Sequence, residues 1–339
     1  MIFNVTGGGG GTGGALTVTA PANVTVTVSK DGKTKTKNSG ASGVVVFKGL
    51  ETGTWEITIT NGTDTASKAV EIRADYQAEI SFNAIPEFTY TGDYEIVSDD
   101  DQPITVSQGN WKIRFLTSGT LTFANLNGAE NGIDVFLVGG GGGGSRAAGG
   151  GGYTTTQNAV MVAAGTAYAI EVGAGGPAGV GNSKAGGSGG MSNAFGASAN
   201  GGKANGTASS FVGSDGGSGG GASSANGAGG KGGSDGSDGF DRDGKNNGSG
   251  KGQGTTTREF GESGGKLYAG GGGGGTTTSS NGGAGGAGGG GAGGNTSGGA
   301  ASGATNTGGG GGGGGAANSK AGGSGGSGIV IIRNARGVA

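Results

Sequence analysis

The sequence predicts an all-β chain in which a block of left-handed polyglycine II helices is inserted between two strands of one sheet. Three observations carry this reading. Of the 96 glycines in 339 residues, 78 lie after residue 138. The chain ahead of them alternates β-branched and polar residues with period two. The glycine block is entered through Ile133-Asp134-Val135-Phe136-Leu137-Val138 and left through Gly328-Ile329-Val330-Ile331-Ile332. Both segments are apolar enough to be strands buried on two faces.

Residues 1–14 read as a short strand, Met1-Ile2-Phe3-Asn4-Val5, and a glycine linker. Residues 15–84 read as an antiparallel β-sandwich. Its strands are Leu16-Thr17-Val18-Thr19, Val24-Thr25-Val26-Thr27-Val28, Val44-Val45-Val46-Phe47, Trp55-Glu56-Ile57-Thr58-Ile59-Thr60, Ala69-Val70-Glu71-Ile72 and Ala78-Glu79-Ile80-Ser81-Phe82. Turns fall at Lys30-Asp31-Gly32 and Asn61-Gly62. Residues 85–138 form a second, small β unit, with Trp111-Lys112-Ile113-Arg114-Phe115 and Thr120-Leu121-Thr122-Phe123 flanking a Ser118-Gly119 turn.

Residues 139–328 are the glycine-rich domain, and 329–339 are the closing strand and tail, paired with residues 133–138. Inside the block, Asn158-Ala159-Val160-Met161-Val162 and Ala167-Tyr168-Ala169-Ile170-Glu171-Val172 read as a strand pair across Ala164-Gly165-Thr166. The nonapeptide Asn-Ser-Lys-Ala-Gly-Gly-Ser-Gly-Gly occurs at 182–190 and again at 318–326.

Two readings of the glycines compete. Ordering a glycine backbone costs about 1–2 kcal/mol, which favours a flexible tether. In polyglycine II the amides point sideways and bond to neighbouring helices, each bond returning about 0.5–1.5 kcal/mol and close Cα–H···O contacts about 0.5–1 more. The terms nearly balance, so order requires fixed ends, and the two apolar strands supply them. A structureless insertion of this length within a compact sheet is rare. Collagen is excluded by 4 prolines and the lack of a regular Gly-X-Y period.

With no cysteine and no histidine, disulfides, thiolate metal sites, Cys nucleophiles and Ser-His-Asp triads are ruled out. A formal charge of −2 with scattered lysines and arginines argues against nucleic acid and membrane surfaces as partners. The start lacks the basic and apolar regions of a secretory signal, so export is expected through a particle released by lysis. No acidic pair stands out as a glycosidase dyad, and the expectation is a protein without enzymatic activity and without a cofactor.

Gly173-Ala174-Gly175-Gly176-Pro177-Ala178 has dinucleotide-loop spacing, but no helix pattern or acidic partner follows. Gly32-Lys33-Thr34 lacks the first glycine of a phosphate loop. Asp235, Asp238, Asp241 and Asp243 are weak calcium candidates, because an EF-hand register places glycine at two ligand positions.

Large side chains are rare in the glycine block and lie between its runs: Tyr153, Phe195, Phe211, Phe240, Phe260 and Tyr268, with Arg242, Arg258 and Lys266. Phe195, Phe211, Phe240, Arg242, Arg258, Phe260 and Tyr268 are candidate binding residues on exposed loops, since aromatics and arginine dominate interfaces. The alternative is that they plug the ends of the bundle. Phe240 and Phe260, each near charged neighbours such as Asp241 and Glu259, are the pair expected to be exposed.

The segment Gly53-Thr54-Trp55-Glu56-Ile57-Thr58-Ile59 before Asn61-Gly62 resembles the carboxypeptidase regulatory-like sandwiches. The Met-Ile-Phe-Asn-Val opening, Gly109-Asn110-Trp111-Lys112-Ile113-Arg114-Phe115-Leu116, the strand-into-glycine junction at 133–144 and the closing Gly-Ile-Val-Ile-Ile-Arg are similar to glycine-rich bacteriophage tail-fibre and tail-tip adhesin proteins. That resemblance implies a virion component which attaches to other virion proteins through residues 1–138. It also implies loops presented to a host cell-surface glycan or protein receptor, with homo-oligomerisation open. Two departures stand: no dedicated fibre-attachment domain is recognisable, and the sandwich is extra. The second expectation is a capsid decoration or head-fibre protein with a purely structural role.

Overall fold

A computed structural model describes residues 13–61, 64–74, 76–82, 85–104, 110–126, 128–180, 183–204, 211–223, 257–276, 282–314 and 320–336. The described chain is all-β apart from a single 3-10 turn at Glu259–Gly261. It divides into two compact units. One comprises Met1–Phe88, Ile96–Lys112 and Phe123–Asn131, and the other Thr89–Glu95, Ile113–Thr122 and Gly132–Ala339.

In the first unit β1 (Gly14–Thr19), β2 (Thr25–Lys30), β3 (Lys33–Asn38), β4 (Val44–Leu50), β5 (Gly53–Asn61), β6 (Asp64–Ile72) and β7 (Gln77–Ser81) form sheets ordered β4-β1-β7 and β3-β2-β5-β6. Alternation in each strand sends Leu16, Val18, Val26, Val28, Phe47, Trp55, Ile57 and Ile59 into one core. Two expectations change. β1 pairs with β7 in parallel, so the sandwich is mixed rather than antiparallel. β3 is an additional strand joined to β2 through Asp31 (φ 48°) and Gly32 (φ 79°), a two-residue turn whose positive dihedrals suit Asp-Gly. Although fully exposed, β3 has a structural use. Its Lys35 Nζ lies 3.2 and 3.3 Å from the carbonyls of Lys48 and Gly49, and Lys37 Nζ lies 2.7 Å from that of Val46. These lysines cap the open edge of β4.

The remaining sheets use β8 (Phe88–Tyr90), β9 (Tyr94–Val97), β10 (Lys112–Phe115), β11 (Gly119–Phe123), β12 (Ile133–Val138), β13 (Thr154–Val160), β14 (Ala167–Ile170), β15 (Ser192–Ala194), β16 (Ala197–Ala199) and β17 (Ile329–Asn334). A five-stranded sheet has the order β13-β12-β17-β10-β9, a three-stranded one β14-β11-β8, and β15 pairs with β16. β12 and β17 pair antiparallel over their whole length, from Ile133↔Asn334 to Val138↔Ile329, and every residue of both is buried. Their pairing across the insertion is the one the sequence suggests.

The two expected hairpins do not form. β10 lies in the five-stranded sheet and β11 in the three-stranded one, so Ser118-Gly119 carries the chain between sheets. β13 begins at Thr154 and pairs with β12, while β14 pairs with β11.

The glycine runs are ordered with a three-residue period. In 139–144 the N–H of Gly139 and Gly142 donate to Tyr153 and Gly150, those of Gly140 and Gly143 to Gly190 and Gly187, and those of Gly141 and Gly144 to Gly326 and Gly323, all at 2.8–3.0 Å. Three antiparallel neighbours are thus served in rotation. The carbonyls serve three parallel neighbours in the same way: Gly140 accepts from Gly202, Gly141 and Gly144 from Gly176 and Gly179, and Gly142 from Gly311. Six runs surround one, with no positive φ in the central run, which is the hexagonal packing of left-handed three-residue helices.

A Cβ built on any of residues 139–144 would come closer than 3.0 Å to a backbone oxygen, at Asn200, Ala174, Gly309, Lys203, Pro177 or Gly312 in turn. Every residue of 139–144 is buried, so the interior of this lattice is peptide backbone alone.

Candidate functional site

Because the interior of the lattice excludes side chains, groups able to recognise anything are confined to its turns and to the open faces of its boundary runs. The connectivity sorts these turns by end. Runs 139–144, 173–179 and 201–204 leave β12, β14 and β16, while 149–152, 186–190 and 321–328 return to β13, β15 and β17. Turns at 145–148 and around Val180 and Lys184 therefore lie at the end away from the strands. Run 308–314 is parallel to 139–144 through Gly311→Gly142 and Gly314→Ser145, which puts the 305–307 turn at the strand end. By the same reasoning 295–298 lies at the far end.

At that far end Arg146 is the single charged residue between 139 and 152. Its guanidinium sits 4.3 Å from the ring centroid of Phe211, and the Phe211 carbonyl accepts from Ser223 N at 2.9 Å. Phe211 is 36% and Val212 46% exposed. Lys203 pairs with Asp215 at 3.2 Å, and the hydrogen bond and charge of that carboxylate raise the Lys203 pKa. Lys320 Nζ donates to the Ser297 carbonyl at 3.2 Å. Arg146, Lys184, Lys203 and Lys320 against Asp215 give the described part of this crown a cationic balance.

The predicted binding residues are divided among three places. Phe211 is in the crown. Phe195 is half-buried in the turn between β15 and β16, at the opposite end, with its ring 5.1 Å from that of Tyr168. Phe260 and Tyr268, expected on exposed loops, are buried instead, 5.8 and 5.5 Å from Phe136 in a cluster with Val138, Ile329 and Ile331. Phe260 also carries Arg333 at 4.0 Å over its ring.

The charged neighbours that suggested exposure are engaged in holding this plug. Tyr268 OH donates to Glu259 Oε2 at 3.0 Å, and Arg114 reaches the same oxygen at 3.5 Å. Arg333 Nε lies 3.0 Å from Asp134 and its Nη1 2.7 Å from Glu262. Arg258 Nη1 donates to the Gly265 carbonyl at 3.1 Å, inside the plug. Phe240, Arg242 and the calcium candidates Asp235, Asp238, Asp241 and Asp243 lie outside the described residues. Sequence reasoning missed Arg146; its isolation between two glycine runs was the available signal.

A cleft of about 570 Å³ opens at the strand end of the lattice, lined by Asp93, Leu116, Thr117, Ser118, Asn306 and Ser327 among others. Its groups bond mainly to one another: Asp93 N to Thr117 Oγ1 at 2.7 Å, Val172 N to Ser118 Oγ at 2.9 Å and Ser327 Oγ to Asn306 Oδ1 at 2.9 Å. Nearby, burial and the Asp93 charge push the Tyr90 phenol up to about 12. Among the described residues no group of three or more acidic, His or Cys side chains is placed to hold a metal. No described helix is long and apolar enough to cross a membrane.

Together these features define a class: a β platform that clamps a hexagonal lattice of glycine helices and presents side chains from its turns and from the open faces of its boundary helices. Residues 116–335 match the glycine-rich domain family, and the chain belongs to it. The match starts just after β10 and ends just after β17, so it takes in β11 to β17 as well as the glycine runs. Comparison with curated proteins gives no match.

Proposed function

We propose that this chain is a non-enzymatic bacteriophage virion protein, a tail-fibre or tail-tip receptor-binding protein. It attaches to other virion proteins through residues 1–138 and presents the far turns of its glycine lattice to the host surface. The observation that carries the reading is the segregation of backbone and side chains: a rigid shaft with no chemistry of its own ends in a crown holding Arg146, Phe211 and Val212. At ~3.1 Å per residue a six-residue run holds such a crown ~19 Å from the strands. An exposed aromatic stacked by arginine, within a cationic surround, suits an anionic glycan of a cell envelope.

The test is adsorption. Phage carrying Arg146→Ala with Phe211→Ala, or with segment 224–256 exchanged for that of a related particle, should lose adsorption or change host range. Unaltered adsorption with the protein located on the head would instead make it a decoration or head-fibre protein.

A further inference from the structure

The cleft at the strand end of the lattice is walled by segments of one compact unit. The turn between β8 and β9 contributes Asp93, the link from β10 to β11 contributes Leu116, Thr117 and Ser118, and the lattice contributes Asn306 and Ser327. At about 570 Å³ it has the size of sites that hold small ligands.

Its walls are fixed by their own hydrogen bonds. Leu116 N donates to the Asp93 carbonyl at 2.9 Å, Asp93 N to Thr117 Oγ1 at 2.7 Å and the Tyr90 hydroxyl to the Thr117 carbonyl at 2.5 Å. A Cβ on Gly92 would lie 2.7 Å from the Ser118 carbonyl, so these two turns meet backbone to backbone. On the lattice side Asn306, with φ 55°, is held by Ser327 Oγ, which accepts from Asn306 N and donates to Asn306 Oδ1, both at 2.9 Å. Val172 N donates to Ser118 Oγ at 2.9 Å. Preorganised walls of this kind lower the ordering cost of binding.

These bonds engage backbone groups and hydroxyls and leave two side-chain functions over. The Asp93 carboxylate is exposed, pairs with no cation among the described residues and holds only a long 3.5 Å contact from Thr117 Oγ1. With Asn306 Oδ1 taken by Ser327, the Nδ2 amide of Asn306 has two N–H donors and no partner among the described residues. The lining thus offers an anionic acceptor and a neutral donor beside the apolar side chains of Leu116 and Val172.

That inventory selects a ligand class. Among the described residues no lysine or arginine lines the cleft, so Asp93 opposes an anion. One carboxylate supplies too few ligands for calcium. An ammonium carries donors only, which leaves the Asn306 amide unmatched. A sugar hydroxyl both donates and accepts, and the C–H face of a sugar ring is apolar. We propose that the cleft is a second ligand site of this chain, for an uncharged saccharide: Asp93 accepts from its hydroxyls, Asn306 Nδ2 donates to one of them, and Leu116 and Val172 pack against its ring. The site lies at the opposite end of the lattice from the cationic crown and stands independently of the receptor-binding reading.

Amide proton–nitrogen correlation spectra of the full chain, titrated with glucose, galactose, mannose and N-acetylglucosamine, provide the test. Glucuronate and putrescine serve as the anionic and cationic comparators. At least one neutral sugar should shift the amides of Asp93, Thr117, Ser118 and Asn306, with a dissociation constant on the order of 1 mM. Asp93→Asn and Asn306→Asp keep the size of each side chain and should each weaken that binding roughly tenfold. Resonances outside the cleft, unchanged in each variant, report an intact fold. Shifts with putrescine or glucuronate alone, no shift with any neutral sugar up to about 100 mM, or wild-type affinity in either variant overturns the proposal.

Discussion

Replacing Gly142 with alanine tests the lattice at its centre. Gly142 donates to Gly150 at 2.8 Å and accepts from Gly311 at 2.9 Å, and its Cβ would press into the carbonyl of Lys203 and within 3.0 Å of Ala204 N. None of these atoms is the end of a flexible side chain, so whole runs must separate. Overpacking of this kind costs about 1–3 kcal/mol, and stretching two backbone bonds adds about 0.5–1.5 kcal/mol each. Against that, Gly→Ala stiffens the unfolded chain and contributes about 0.4–1 kcal/mol of stability. The net loss is about 1–6 kcal/mol, a fall in melting temperature of roughly 2–20 °C for a domain of this size. Gly264, exposed and with nothing within 4 Å of an added methyl group, is the matched control and should be neutral or slightly stabilised as Gly264→Ala. Thermal melts followed by circular dichroism, with amide exchange over 139–144, measure both. Equal or higher stability in Gly142→Ala, with coil-like exchange, would refute an ordered lattice.

Phe260→Ala should cost about 3–5 kcal/mol by emptying the plug against Phe136, measured by chemical denaturation; a small effect would return Phe260 to the list of surface residues. Arg333→Ala removes the partner of buried Asp134 and should destabilise by about 3–5 kcal/mol, whereas Arg73→Ala, at an exposed pair, should change little. The Tyr90 phenol, raised from 10.0 to about 12, stays protonated in the fold at pH values where an unfolded chain would release the proton. Its contribution is present below pH 10 and lost as pH rises toward 12, so Tyr90→Phe should flatten the alkaline fall in stability across that window.

The sandwich strands and the β12–β17 clamp were legible because burial alternates, or is unbroken, in the residues themselves. β3 was not, because Lys-Thr-Lys-Thr-Lys-Asn has no apolar face; it is a strand because its lysines close the edge of β4. The two hairpins were misread by adjacency in sequence. All four residues of β10 are buried, which requires a place between β17 and β9 rather than a hairpin edge. The plug was hidden by its own charges: Glu259 and Glu262 suggested solvent, yet each holds an arginine. The crown was only partly legible, since Arg146 and Phe211 come together from turns far apart in the chain.

The glycine block carries a finer signal that a search for one continuous period overlooks. A helix wholly surrounded by others has no open face and must be unbroken glycine, as 139–144 and the described part of 308–315 are. A helix at the lattice boundary has one open face, visited every third residue, and tolerates side chains only there. In 173–180 Gly173, Gly176 and Gly179 are buried while Ala174, Pro177 and Val180 are exposed. Pro177 fits because its missing N–H falls on that open face. In 282–288 Ala284 and Ala287 are exposed in the same rhythm. The two nonapeptides obey it as well. Gly187 and Gly190 accept from Gly143 and Gly140, and Gly323 and Gly326, at the corresponding places of the second copy, accept from Gly144 and Gly141. Ser188 and Ser324 fall in the gap between those contacts. One sequence recurs because two sites around the central helix are equivalent, so the spacing of non-glycine residues in such a chain encodes how many neighbours each run has.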